Sequence, residues 1–293
     1  MQIQFLAIGE LLADIISVDY CNDLSEARSF QLFQGGSPSN VAANLKWLGH
    51  RADVVACVGN DGIGKFLQSE IKRIGISGKY IQVSNEHPTS LVLVTRSKGT
   101  PDFIAYRLAD TQLKNVSPGL IESAGILHTT AFALSRQPAR ATILTAFKLA
   151  KETGKTISVD WNFAPSIWGN DDGREVFETI MQLEPLMKVS LDDMERFAGI
   201  NEVNHCLKFL DEYAGIICLS AGKDGVHFRN ASMEWKHFPA LPVAEVVDTT
   251  GAGDAFWAGF MSAYIDNFTM EECVKKGLSV AALKVQKHGP LYV

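Results

Sequence analysis

Six short apolar runs, rich in Val, Ile and Leu, set the terms on which this chain can fold. They lie at residues 4–8, 53–58, 125–129, 156–159, 187–189 and 216–219, with longer stretches of helical period between them. A parallel strand is buried on both faces, so it reads as an unbroken apolar run, and it reaches its parallel neighbour through a crossover that is usually a helix. The alternation predicts an α/β chain with a mostly parallel central sheet and helices on both faces, each run leading into a helix within a few residues. One helix start is marked strongly: Ser37 as cap, Pro38 at the first helical position, Val41, Leu45 and Leu48 at apolar spacing, and Gly49 as the stop.

Two regions break the alternation. Residues 13–20 and 28–33 read as strands joined by a polar turn, and 89–95 with 102–107 read as a hairpin around 97–101. These strands, within 13–34 and 89–108, either form a small accessory sheet that covers a site as a lid or extend an edge of the main sheet. Periodicity does not choose between the two. There is no internal repeat, low-complexity tract or linker, so residues 1–293 read as a single domain with a lid.

Composition narrows the function. Of 293 residues, 46% are hydrophobic and 20% charged, which is globular. Lys and Arg number 27 against 33 Asp and Glu, a formal charge of −6 without a basic block, which argues against nucleic acid or an anionic membrane as partner. The longest uncharged stretch, 29–45, is interrupted by Gln, Gly, Pro and Asn and falls short of the roughly 20 apolar residues of a spanning helix. The opening MQIQFLAIGE shows no secretory pattern. Cys21, Cys57, Cys206, Cys218 and Cys273 are scattered without a CxxC pair, which fits a reduced compartment and no zinc site. A cytoplasmic location is the expectation.

The stretch VVDTTGAGDAFWAGF at 246–260 carries the chemistry. Val246 and Val247 read as a strand end, Asp248, Thr249 and Thr250 as a turn, and Phe256, Phe260 and Tyr264 as apolar positions of the helix that follows. The first N–H groups of a helix lack intrahelical partners and sit at the positive end of its dipole. Gly251, Ala252 and Gly253 present such groups with almost no side chain in the way, so an anion can come close. Asp254 stands in the same first turn. A carboxylate beside an anion hole suits phosphoryl transfer to an alcohol: the acid takes the hydroxyl proton while backbone donors stabilise the moving charge. Alone, Asp254 could merely complement the helix dipole and the glycines merely permit close packing. Asp248 and the two threonines in the same run favour the chemical reading.

This run resembles the DTxGAGD signature of the PfkB, or ribokinase-like, carbohydrate kinases. GGSPSNVAANLKWLG at 35–49, followed by VGNDGIG at 58–64, resembles that family's first signature, and the likeness covers nearly the whole chain and leans toward fructokinase-like members. The resemblance implies a ribokinase-like fold with a β-lid, ATP as phosphoryl donor, Mg2+ bridging its phosphates, a small sugar as acceptor and a homodimer through the lid. It makes Asp254 the base and Gly251, Ala252 and Gly253 the anion hole. It sets Asp248 near the metal and phosphates and leaves room for a monovalent cation, K+, beside it. Asp14, after GELLA, matches the aspartate that holds sugar hydroxyls; Gly35, Gly36 and Asn40 match the glycine-lined floor and its amide. FIAYRLADTQL at 103–113 resembles a lid stretch from which Tyr106 and Arg107 would reach substrate or incoming phosphate. LSAGKDGV at 219–226 would put Ser220, Gly222, Lys223 and Gly225 at the ATP phosphates and ribose, with Asn162 and Ser190 also at the nucleotide and Gly277 and Ala281 near the adenine.

The chain departs from the pattern twice. Where the family's NxxE orders water around Mg2+, this sequence has Ser190 and Asp193, so Asp193 would meet the metal only through water. In DWNFAPSIW at 160–168, Ala164 stands where Arg is usual, which removes a bidentate partner for an acidic sugar. That points to a neutral ketose, with fructose first and 2-keto-3-deoxygluconate or another sugar or nucleoside as alternatives. Three rival readings remain. GNDGIGKF at 59–66 nearly fits the P-loop GxxxxGK[ST], but Phe66 replaces the hydroxyl ligand of Mg2+. A dinucleotide fingerprint fails because GAGDAF lacks the last glycine of GxGxxG. A catalytically silent sugar-binding regulator would tolerate Ser190 and Asp193 but would have no need of Asp254.

Overall fold

In the computed structural model, which describes residues 2–97, 102–230 and 234–292, the apolar runs become strands centred where expected. The strands are β1 (Ile3–Ile8), β2 (Leu12–Tyr20), β3 (Phe30–Gly35), β4 (Ala52–Gly59), β5 (Ile81–Ser84), β6 (Leu91–Arg96) and β7 (Phe103–Tyr106), then β8 (Ala124–Thr130), β9 (Thr156–Asp160), β10 (Leu186–Ser190), β11 (Ile216–Ser220), β12 (Val226–Arg229) and β13 (Trp235–Phe238). The helices are α1 (Ser37–Trp47), α2 (Gly62–Arg73), α3 (Pro118–Ser123), α4 (Ala131–Leu134), α5 (Ala139–Glu152) and α6 (Pro165–Trp168), then α7 (Arg174–Met181), α8 (Leu191–Ala198), α9 (Val203–Leu210), α10 (Ala252–Ile265) and α11 (Met270–Val285).

Among the described residues, the main sheet has nine strands in the order β13-β12-β11-β10-β9-β8-β1-β4-β5, and a separate four-stranded sheet has the order β3-β2-β6-β7. From β11 through β5 the main-sheet pairs run parallel, and β12 and β13 add an antiparallel edge. This is the α/β architecture with a separate small sheet that the resemblance implies, and the accessory strands form their own sheet instead of extending the main one. Residues 98–101, most of the turn expected around 97–101, lie outside the described residues.

Three local expectations are corrected. The run at 4–8 leads into β2 and β3 before any α-helix forms, so two strands of the small sheet are inserted between β1 and α1, and β6 and β7 join them after β5. The run at 216–219 leads into β12 because only the short 3-10 turn Gly222–Asp224 separates them, too little chain for a crossover, and the backbone must turn back antiparallel. Val246 and Val247 end no strand. Val247 and Asp248 instead donate backbone N–H groups to Val285 O, at 2.7 and 3.2 Å, which ties the stretch to the end of α11.

Helix α10 is apolar nearly all round and buried from Ala255 to Ala263, as a helix enclosed by its neighbours must be. It crosses α11 closely: a Cβ on Gly277 would lie 2.8 Å from Phe256 O, and one on Gly259 would lie 2.8 Å from Lys276 O. Small residues at this crossing hold the first turn of α10 at a fixed height over the sheet.

Candidate active site

Parallel strands end together, and the loops beyond their carboxyl ends form the crevice where ligands bind in open α/β sheets. Here that rim carries Glu10 just past β1, Thr130 at the end of β8, Asp160 at the end of β9, Ser190 at the end of β10 and Ser220 at the end of β11. Asp254 descends onto this rim from the first turn of α10.

Asp254 is held by two donors from α1. Ser37 Oγ donates to its Oδ1 at 2.7 Å, and Asn40 Nδ2 donates to its Oδ2 at 3.0 Å. Ser37 is therefore not the helix cap expected from sequence: Gly36 occupies that position, with φ +101° and no side chain to cap with, and the serine hydroxyl is spent on the carboxylate. Asn40 is itself oriented. Its Oδ1 accepts from Gln34 Nε2 at 3.1 Å and lies 3.0 Å from the Tyr292 hydroxyl, so its NH2 faces Asp254. Burial pushes Asp254 up to about 6, against the lowering effect of the Ser37 and Asn40 hydrogen bonds. Asp14, on β2, is pushed up to about 7 by burial and by the charge of Asp254. Gly35 makes room for it, because a Cβ there would lie 2.2 Å from Asp14 Oδ2. Asp14, Gly35, Gly36, Asn40 and Asp254 are thus brought together as expected, where β2 and β3 meet the starts of α1 and α10.

Beneath the first turn of α10 lies a buried ion pair. Asp160 and Lys188 are cross-strand partners on β9 and β10, so their side chains share a face, and Lys188 Nζ lies 2.8 and 2.7 Å from the two Asp160 oxygens. The lysine side chain is 6% exposed and the aspartate 2%. A Cβ on Gly253 would lie 3.2 Å from this Nζ, so the ammonium sits directly under the glycine turn. Asp193 is pushed up to about 6 by burial, less the effect of Lys188. Its carboxylate closes a capping box with Ser190, accepting from Ser190 N at 2.9 Å, and takes Phe163 N at 3.1 Å. Ser190 and Asp193 together fix the start of α8, a role their departure from NxxE does not disclose.

Asp248 opens the turn. Its Oδ1 accepts from Thr250 N at 2.9 Å and its Oδ2 from Gly289 N at 3.2 Å, and Lys284 Nζ lies 3.3 Å from Oδ2. Burial would raise the Asp248 carboxyl, but the Thr250 N–H and Lys284 outweigh it and hold the group below the usual range. Gly251 takes φ +75° as the cap of α10, a conformation that favours glycine, and it leaves the first amides of α10 without a side-chain cap.

Arg107 is placed differently from the expectation. It does not reach out from the small sheet: Nε donates to Asp110 Oδ2 at 2.7 Å, one terminal nitrogen donates to Phe132 O at 3.0 Å and Ser135 Oγ at 2.7 Å, and the guanidinium lies 4.1 Å above the Phe132 ring. An acid three residues away on a tight turn captures it before a ligand can. Tyr106 is 50% exposed. Glu10, pushed up to about 8 by burial despite Arg107, accepts from Thr130 nearby. On the nucleotide side, Asn162 is exposed, Ser220 is half-buried, and Gly222 and Lys223 lie on the exposed turn before Gly225. Gly277 faces Phe256 at the helix crossing, and Ala281 follows one turn later on α11.

Sequence reading missed Gln34, Tyr292, Asp160, Lys188 and Lys284. Lys188 had a signal: a charge inside LMKVS, a run that otherwise reads as a strand buried on both faces, requires a buried partner. The near P-loop at 59–66 is structural. Asp61 Oδ1 accepts from Gly64 N at 2.7 Å and Thr89 Oγ1 at 2.8 Å, filling the start of α2 with the protein's own carboxylate, and Lys65 is exposed. A groove of about 570 Å3 opens at the opposite end of the sheet, lined by Gln4, Arg51, Thr156 and Phe268, away from these acids.

The pfkB family carbohydrate kinase model matches residues 2–292. An ATP-dependent 6-phosphofructokinase of Thermoanaerobacterium thermosaccharolyticum is 39% identical over 290 residues, 98% of this chain and 89% of that protein. A 2-dehydro-3-deoxygluconokinase of Bacillus subtilis is 31% identical over 303 residues, 99% of this chain and 92% of that protein. Among solved structures, a fructokinase of Halothermothrix orenii superposes with TM-score 0.85 at 34% identity, covering 96% of this chain and 99% of that one.

Proposed function

The chain belongs to the pfkB family of carbohydrate kinases, and from that premise we propose that it transfers the γ-phosphoryl of ATP to a primary hydroxyl of fructose, with Asp254 as base. The observation that carries the reading is Asp254 itself: desolvated, oriented by Ser37 and Asn40, and in the same first turn as the Gly251–Gly253 amides, which no side chain caps and of which Ala252 N–H donates to Thr249 O at 3.1 Å. The sugar lies between Asp14, Gly35, Gly36 and Asn40; Tyr106, paired through Leu91 with Ala13, is on the opposite face of the small sheet from Asp14. Its hydroxyl passes a proton to an Asp254 oxygen as the phosphoryl group moves over the amides, where Lys188 adds positive charge from below.

ATP takes the side of the rim bearing Asn162, Ser190, Ser220, Gly222, Lys223, Gly225 and Ala281. Among the described residues no three acids or metal-binding side chains converge to cage a metal. That suits Mg2+ arriving on the nucleotide phosphates, since this ion keeps several waters and shares itself between phosphates and one or two carboxylates. When bound, it would neutralise the phosphate charge, with Asp193 and Asp248 meeting it through water.

The whole chain acts as one kinase domain with the small sheet as its lid. Phe30, Leu32 and Ile104 are exposed on one face of that sheet, an apolar face that a second copy of the chain covers in a homodimer. Sedimentation of wild type against Ile104→Asp tests this: loss of a dimer supports it, and a wild type that is monomeric at micromolar concentration contradicts it. Among the described residues no helix is long and apolar enough to cross a membrane, in keeping with work in the cytoplasm.

A second reading, fructose 6-phosphate as acceptor, is favoured by the 39% identical 6-phosphofructokinase; 2-keto-3-deoxygluconate follows from the 31% identical relative. An ADP-release screen with fructose, fructose 6-phosphate, 2-keto-3-deoxygluconate, ribose and a nucleoside separates them. Highest kcat/KM with fructose supports the proposal, and highest kcat/KM with either acid replaces it.

A further inference from the structure

A buried ammonium stands beside the anion hole. Lys284, near the end of α11, has a side chain 4% exposed. Its Nζ lies 3.2 Å from Asp248 O, 3.3 Å from Asp248 Oδ2 and 3.3 Å from Lys287 O. Its stem passes beneath the glycine turn, where a Cβ on Gly251 would lie 3.9 Å from Lys284 Cε. One charge therefore links the end of α11, the turn at 287–289 and the residue that opens the 248–253 turn.

Two carbonyl oxygens and a carboxylate oxygen converging on one buried point are the kind of shell that draws a hard cation out of water. Here the shell is filled from within the chain, and the three donors of an ammonium match the three oxygens. A free monovalent cation does not fit as well: it would compete for the same oxygens and meet the lysine's charge at short range, where little water screens the repulsion. The oxygen shell at Asp248 and a requirement for K+ thus disagree.

We propose that Lys284 is a tethered cation that does the work of a free K+ beside the anion hole, so that turnover needs no monovalent cation from solution. The inference rests on the kinase reading of the site. Lys284 is a positioning residue: it acts through Asp248, fixing the turn from which the Gly251–Gly253 amides point. A neutral side chain at this position empties the shell and opens it to an ion of similar size and charge.

The test compares wild type, Lys284→Ala and Lys284→Ser in K+, Na+, NH4+ or choline as sole monovalent cation at equal ionic strength, reading kcat for ADP release and the thermal midpoint. Wild-type kcat should agree within about twofold across the series, a difference of only a few tenths of a kcal/mol in barrier. The variants should lose about tenfold or more in choline, the scale of a lost charge-assisted hydrogen bond. They should regain much of it in K+ or NH4+, with a rise in midpoint that wild type does not show. A wild type whose rate climbs severalfold with K+ overturns the proposal, as do folded variants that K+ changes in neither rate nor midpoint. Should both variants fail to fold, the wild-type series decides alone. Absence of sugar-dependent ADP release in every salt would instead overturn the kinase reading, and the midpoint comparison would still decide the cation question.

Discussion

Ser37 and Asp254 stand 217 residues apart in the chain, and the hydroxyl of the first donates to the carboxylate of the second at 2.7 Å. The contact joins the two signature segments: α1, which follows the small sheet, and α10, which carries the anion hole. It also sets the acidity of the base. Burial raises Asp254 and the donors from Ser37 and Asn40 lower it, leaving it at about 6.

The first expectation is a pH profile. Asp254 accepts a proton only when ionised, so kcat/KM should rise with pH through about 6 and level off above it. Ser37→Ala removes a donor that favours the anion, so its acid limb should move to higher pH. Rate profiles of the two proteins check this, and coincident limbs would separate Ser37 from the acidity of the base.

The Lys188–Asp160 pair should behave as a buried pair does. Lys188→Met strands Asp160 and should lower stability by about 3–5 kcal/mol, whereas Lys188→Met with Asp160→Asn should recover most of the loss. Both should stay slow, because the charge beneath Gly253 is gone in each. Urea titration and kcat separate the two effects; a double variant that regains full activity would show that this charge does not matter to turnover.

Gly277 offers a packing test. A methyl there meets Phe256 O at 2.8 Å, so Gly277→Ala should destabilise the α10–α11 crossing by about 1–3 kcal/mol. Thermal melts read it. An unchanged midpoint with weakened nucleotide binding would return Gly277 to the adenine contact its resemblance implies.

His128 predicts acid sensitivity. Burial pushes it down to about 3, with Lys188 adding to the effect and the Ser158 contact opposing it. The unfolded chain binds this proton near 6.5 and the folded chain does not, so the contribution is whole above 6.5 and is lost as pH falls toward 3. The steepest loss should be about 1.4 kcal/mol per pH unit. His128→Asn should flatten that part of the stability curve, and an unaltered slope would assign the acid sensitivity to other groups.

The apolar runs gave away the sheet because burial on both faces leaves no room for polar residues in a parallel strand. Asp254 and its glycine turn were legible because an anion hole needs bare amides next to its acid, all within one local segment. What stayed hidden is long-range. Nothing near Ser37 shows that its hydroxyl answers to a residue beyond 250; a serine before Pro38 looks like a cap until the carboxylate arrives. Arg107 looked available because its captor, Asp110, lies in a turn whose geometry the sequence does not fix. Lys284 sits at an ordinary helical position, and only the fold reveals that it points at Asp248 and not at water.

The most direct measurement is ADP release by Asp254→Asn with its best sugar, beside nucleotide affinity and the thermal midpoint. With Asp254 as base, kcat should fall by roughly 10²–10⁴ while affinity for ATP and the fold are kept. A folded, ATP-binding variant that turns over near the wild-type rate would contradict the assignment.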